Sequence, residues 1–94
     1  MMKRTTSFGS METLLVKEGK IISEYLIFEK SGRSHLHDEW ETCHVIAGKG
    51  IIVNGEESVE VTQGSMCKIP PNTAHWMVPN PYMEIVLVYS QKEG

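Results

Sequence analysis

Between residues 35 and 41 the chain reads His-Leu-His-Asp-Glu-Trp-Glu. On an extended strand, residues two apart point to one face, so His35 and His37 project together. Two imidazoles presented side by side can hold a single ion without distorting the backbone. Asp38-Glu39-Trp40 has the length of a hairpin turn, and Glu41 opens the run that follows. If that run pairs with the first, the carboxylate returns beside the two rings. Imidazole with carboxylate suits one divalent transition metal ion of the Fe, Mn, Zn, Ni or Cu group. Cys43 shares the face of Glu41, either as a small buried side chain or as a thiol beside the ion. His44 falls on the opposite face, towards solvent or a subunit contact.

These residues must be positioned by strands, because no long stretch has a helical period. Short β-type runs cover Thr13–Val16, Lys20–Phe28, Ser34–His37, Glu41–Ala47, Ile51–Val53, Ser58–Val61, Met66–Ile69, Ala74–Val78 and Met83–Ser90. Turn signals separate them. Glu18-Gly19 and Ser31-Gly32 are turns, Gly48-Lys49-Gly50 is a tight bend, and Asn54-Gly55 is a strong hairpin signal. Thr62-Gln63-Gly64, Pro70-Pro71-Asn72 and Pro79-Asn80-Pro81 complete the set, with the prolines placed between runs. Residues 1–10 are polar and small, and read as a loose N-terminal arm before a single domain over 11–94. Many short strands in so short a chain point to an antiparallel sandwich or a closed barrel.

With 94 residues and 40% apolar content, the chain has enough for one modest core and none of the bias of a disordered segment. The net charge of −3 and the scattered basic residues offer no footprint for nucleic acid. The longest apolar stretches, residues 25–28 and 85–89, are far too short to span a bilayer as a helix. Lys3 and Arg4 are followed by polar residues rather than an apolar stretch, so the expectation is a cytoplasmic protein. Two cysteines do not make a disulfide framework.

The spacing His35-x-His37, three residues, Glu41, six residues, Gly48 resembles the first motif of the cupins. Gly64, five residues, Pro70 and then His75 resemble the second. Asn72 stands where that motif has a glycine, and it tolerates a positive φ in a turn. Pro79 takes the place of the closing asparagine, and no glycine precedes His35 at the motif's spacing. The resemblance implies an all-β antiparallel jelly-roll barrel, with His75 joining His35, His37 and Glu41 as metal ligands. It also implies a small-molecule ligand or substrate, and an enzyme of the dioxygenase, isomerase or lyase type. The alternatives are a non-catalytic module that binds a small ligand through the metal, and a purely structural metal site. Pocket candidates are Trp76 and Met77 beside His75, Arg33 ahead of the histidine pair as a carboxylate anchor, Cys43 and Tyr25. An unpaired edge at Thr13–Val16 suggests a homodimer.

Overall fold

The structure, a computed structural model, describes residues 3–91. Its strands are β1 (Lys3–Thr5), β2 (Gly9–Lys17), β3 (Lys20–Phe28), β4 (Trp40–Asn54), β5 (Glu57–Thr62), β6 (Met66–Ile69) and β7 (His75–Ser90). They form one antiparallel sheet in the order β1-β2-β3-β7-β4-β5, with β6 also on β4. No helix of the described residues is long and apolar enough to cross a membrane.

Two strands are much longer than the sequence suggests, and together they make the barrel. β4 pairs with β7 along nearly its whole length, from Trp40 opposite Ser90 to Asn54 opposite His75. The opposite edge of β4 is shared: β6 takes Glu41 to His44, and β5 takes Lys49 to Asn54. Between the two halves the register shifts twice, after Val45 and after Gly48. Such bulges bend a strand and increase its twist, which lets one sheet curl round on itself. The expected tight bend at Gly48-Lys49-Gly50 is therefore a bend inside one strand. Pro79-Asn80-Pro81 lies opposite that bulge and within β7 rather than between strands.

The glycines at the bend are sterically required. Gly48 has φ +76°, and a Cβ there would lie 2.1 Å from the Tyr82 carbonyl oxygen. A Cβ on Gly50 would lie 2.3 Å from that of Val78. Only residues without a side chain let the two strands approach this closely. Lys17 pairs with Lys20 around Glu18-Gly19, both with positive φ as a type I′ turn demands. Asn54 pairs with Glu57 around the expected hairpin turn, where Gly55 has φ +65°.

Inward residues alternate along each strand. Leu26 and Phe28 on β3, Cys43, Val45 and Ile52 on β4, and Met83, Ile85 and Leu87 on β7 join Val61, Ile69 and Met77 in one buried cluster. Residues 3–10, read from composition as a loose arm, instead contain β1 and the start of β2. Arg4 and Thr5 pair with Met11 and Ser10, and the Phe8 ring stacks on Phe28 at 4.5 Å. Local polarity hid this, because besides its pairing with β2 the segment is held by Phe28 and Glu24 of β3.

Candidate metal centre

Ser34–His37, expected as a strand paired with the run after Glu41, forms only a single bridge, between His35 and His75. The reason is that β4 has no free edge: Glu41 already faces Ile69 on one side and Tyr89 on the other. Residues 32–37 lie instead along the start of β7. The amides of Gly32 and His35 donate to the carbonyls of Met77 and His75, and Asn72 N–H donates to His37 O. Asn72 adopts φ +58°, the left-handed conformation its place in the turn calls for.

This route still brings the four residues together. One ligand atom from each of His35, His37, Glu41 and His75 falls in a group whose members all lie within 4.8 Å of one another. Glu41 and His75 are 0% and 1% exposed, whereas His37 is half-buried and His35 exposed, so the cluster opens towards solvent on one side. His37 Nε2 lies 3.0 Å, and His75 Nε2 3.3 Å, from Glu41 Oε1. Two atoms each ~2.1 Å from a common ion stand about 3 Å apart when they bind at right angles, so these separations suit a shared ion.

The backbone orients all three rings in the same sense. Nδ1 of His35 donates to Arg33 O at 3.1 Å, Nδ1 of His37 to Glu39 O at 3.1 Å, and Nδ1 of His75 to Thr73 O at 2.8 Å. With Nδ1–H committed to a carbonyl, the neutral ring carries its lone pair on Nε2, which in His37 and His75 is the nitrogen facing Glu41. His75 Nε2 is buried beside Glu41 Oε1, and while the ring is neutral with its proton on Nδ1 it has no hydrogen bond to make there. A buried polar atom left unpaired is costly, and a cation at this point would satisfy it. Cys43 Sγ–H donates to Glu41 Oε2 at 3.3 Å, which leaves Oε1 facing the imidazoles.

Electrostatics follow from the packing. Burial pushes the Glu41 carboxyl up, but His75, His37 and the Cys43 thiol outweigh it and hold the group below its usual range. Burial pushes His75 down, yet the adjacent Glu41 and the Thr73 carbonyl raise it overall. Cys43 is driven up by burial and then by Glu41, so it stands as a thiol that donates to that carboxylate.

Of the pocket candidates, Arg33, Trp76 and Met77 line a cavity that borders His35 and Glu41. Cys43 contacts the cluster through Glu41. Tyr25 is a correction: it alternates with buried Glu24 and Leu26, faces the outside of the sheet, and donates to Glu84. That bond, with burial, pushes its pKa up to about 12. Trp40 alternates with Glu41 in the same way and stacks under Lys68 on the outer face.

Sequence reasoning passed over Glu24 and Tyr89. Glu24 is buried at 4% exposure, accepts the Tyr89 hydroxyl at 2.7 Å, and pairs with Arg4 at 3.2 Å. The Tyr89 ring then meets His37 edge-on at 5.5 Å. Glu24 had a signal, being a charge in the same alternation as Leu26 and Phe28; Arg4 had none, since its partner is twenty residues away on another strand.

The architecture is a small antiparallel β-barrel with three imidazoles and a carboxylate gathered in one cluster. The Cupin domain family matches residues 24–89, more than half of the chain, and the protein belongs to that family. No curated protein matches it in sequence. Among solved structures it is similar to the plu4264 protein of Photorhabdus luminescens, at TM-score 0.80 and 24% identity, over 97% of this chain and 82% of that one. A Thermotoga maritima protein described as a predicted oxalate decarboxylase matches at 0.77 and 19%, covering 98% and 100%. KdgF from Halomonas sp. matches at 0.75 and 16%, covering 89% and 81%. These likenesses support the fold.

Proposed function

We propose that His35, His37, Glu41 and His75 bind one divalent transition metal ion, and that the protein uses it to act on a small oxygenated molecule. The observation that carries this is the common orientation of the three rings. Each Nδ1–H is held by a backbone carbonyl, and the Nε2 lone pair of a neutral His75 is buried against the Glu41 carboxylate with no proton between them. A structural site would be closed and cysteine-rich, whereas this one is mixed and open on the side of His35 and His37. When bound, the ion would supply Lewis acidity towards a carbonyl, enolate or hydroxy-acid oxygen, as isomerase, lyase or dioxygenase chemistry requires.

The chain's own groups do the rest. Glu41 offers Oε1 as the fourth ligand while the Cys43 thiol holds Oε2. Tyr89, fixed by Glu24, packs against His37 and limits its rotation. Elemental mass spectrometry of the purified protein is the test. One ion per chain is expected, and His75→Ala should lose it. No ion after reconstitution of the wild type overturns the reading.

A homodimer belongs to the same proposal. β1 reaches no further along β2 than Glu12 among the described residues, and Leu14, Leu15 and Val16 beyond it are exposed. An apolar strand edge of this kind is a site for pairing with another chain.

A further inference from the structure

Behind the histidine cluster lies a cavity of about 230 Å³. His35 and Glu41 form one end of its wall, so it shares a border with the candidate metal centre. Its body is apolar: the stacked Phe8 and Phe28 rings, Leu26 and Leu87 close it, with Trp76 and Met77 along the side. Arg33 at the rim is the one cation in the lining, and no carboxylate pairs with it among the described residues. On the solvent side a wider opening of about 650 Å³ touches His35 and His37 and is lined by Glu24, Asp38 and Glu39. The cluster therefore stands between a wider opening of mixed character and an apolar chamber.

We infer that this chamber seats the apolar body of the ligand, and that the ligand is a small acid with an aryl or branched alkyl group, such as an aryl 2-oxo acid. The inference rests on the metal reading above for the position of the head group. An apolar cavity of ~150 Å³ already accepts benzene, so about 230 Å³ holds one ring and a short acidic head. A sugar acid fits poorly, because its hydroxyls would lose water and find no partners on Phe8, Phe28, Leu26 and Leu87. With the head oxygens turned to the cluster, Arg33 is the group placed to take a carboxylate by a paired contact.

The test is binding to metal-loaded protein by calorimetry, with benzoylformate, pyruvate and 2-oxogluconate as probes. Benzoylformate should bind at least tenfold tighter than pyruvate, and 2-oxogluconate no tighter than pyruvate. Leu26→Trp, which fills the chamber, should erase the tenfold preference of benzoylformate over pyruvate in protein that still melts cooperatively. Equal affinities for benzoylformate and pyruvate, or a preference for 2-oxogluconate, would overturn the inference. Toluene, which has no head group, gives a readout that needs neither metal nor variant. Ligand-observed NMR should show it binding the purified protein and leaving when benzoylformate is added. A folded protein that ignores toluene overturns the chamber even if the metal is present. A protein that binds toluene but takes up no metal supports the chamber and overturns the metal reading alone.

Discussion

Glu41 and His75 form a buried pair whose charges depend on each other. Glu41 is held below its ordinary value of 4.5, so its contribution to folding is present above that pH and is lost as pH falls through the folded value. His75 is raised above 6.5, so its contribution is full below that pH and is lost as pH rises through the folded value. The metal-free protein should therefore be most stable between about pH 4.5 and 6.5. A bound ion reverses the alkaline side, because it needs His75 without its proton. Thermal melts with zinc and with a chelator should show the metal-induced increment growing from pH 6 to pH 8. An increment independent of pH would mean that His75 does not ligate. At this scale the sequence was informative. Strand parity put His35 and His37 on one face, and the resemblance to the two cupin motifs added Glu41 and His75; the structure brings one ligand atom of each within 4.8 Å of the others. The arrangement of Nδ1 donors to Arg33, Glu39 and Thr73 was not legible, since it depends on how the backbone turns beside each ring.

The long β4–β7 pair holds the barrel in shape, and its bend depends on Gly48. An alanine there would need an L-residue at φ +76° and would push a methyl group to 2.1 Å from the Tyr82 carbonyl oxygen. The conformation alone costs about 1–3 kcal/mol. Displacing the facing strand adds to it, so Gly48→Ala should lower the melting temperature by roughly 10 °C or more in a domain of this size. Circular dichroism melts check this, and an unchanged midpoint would show that the bend tolerates a side chain. Element types were readable from alternation and turn residues, and β3 and β6 match their expected spans residue for residue. Element ends were not. A glycine pair and two prolines look like breaks locally. Opposite one another in the sheet they form a bulge that both strands pass through, and pairing partners are invisible to a local reading.

For the molecule as a whole, assembly is tested at the exposed end of β2. Leu14, Leu15 and Val16 are 40–51% exposed in a run of three, while the inward face of the neighbouring β3 is already filled by Glu24, Leu26 and Phe28. Sedimentation velocity at micromolar concentration should give a dimer, and Leu14→Lys with Val16→Lys should shift it to monomer. A wild-type monomer would remove the homodimer from the proposal.

The sequence by itself determined that the chain is all-β, that His35, His37, Glu41 and His75 belong together, and that the family is the cupins. The first rests on strand alternation and turn chemistry, which operate over a few residues; the grouping with His75 and the family rest on the resemblance to the spaced cupin motifs. Only the tertiary structure decided that His35 pairs with His75 rather than with the strand of Glu41, that Arg4 closes over Glu24, and that an apolar chamber lies behind the cluster. Those features are set by which edges are already occupied and by side chains brought from residues 8, 28 and 77 to one place, and no local pattern encodes such long-range competition.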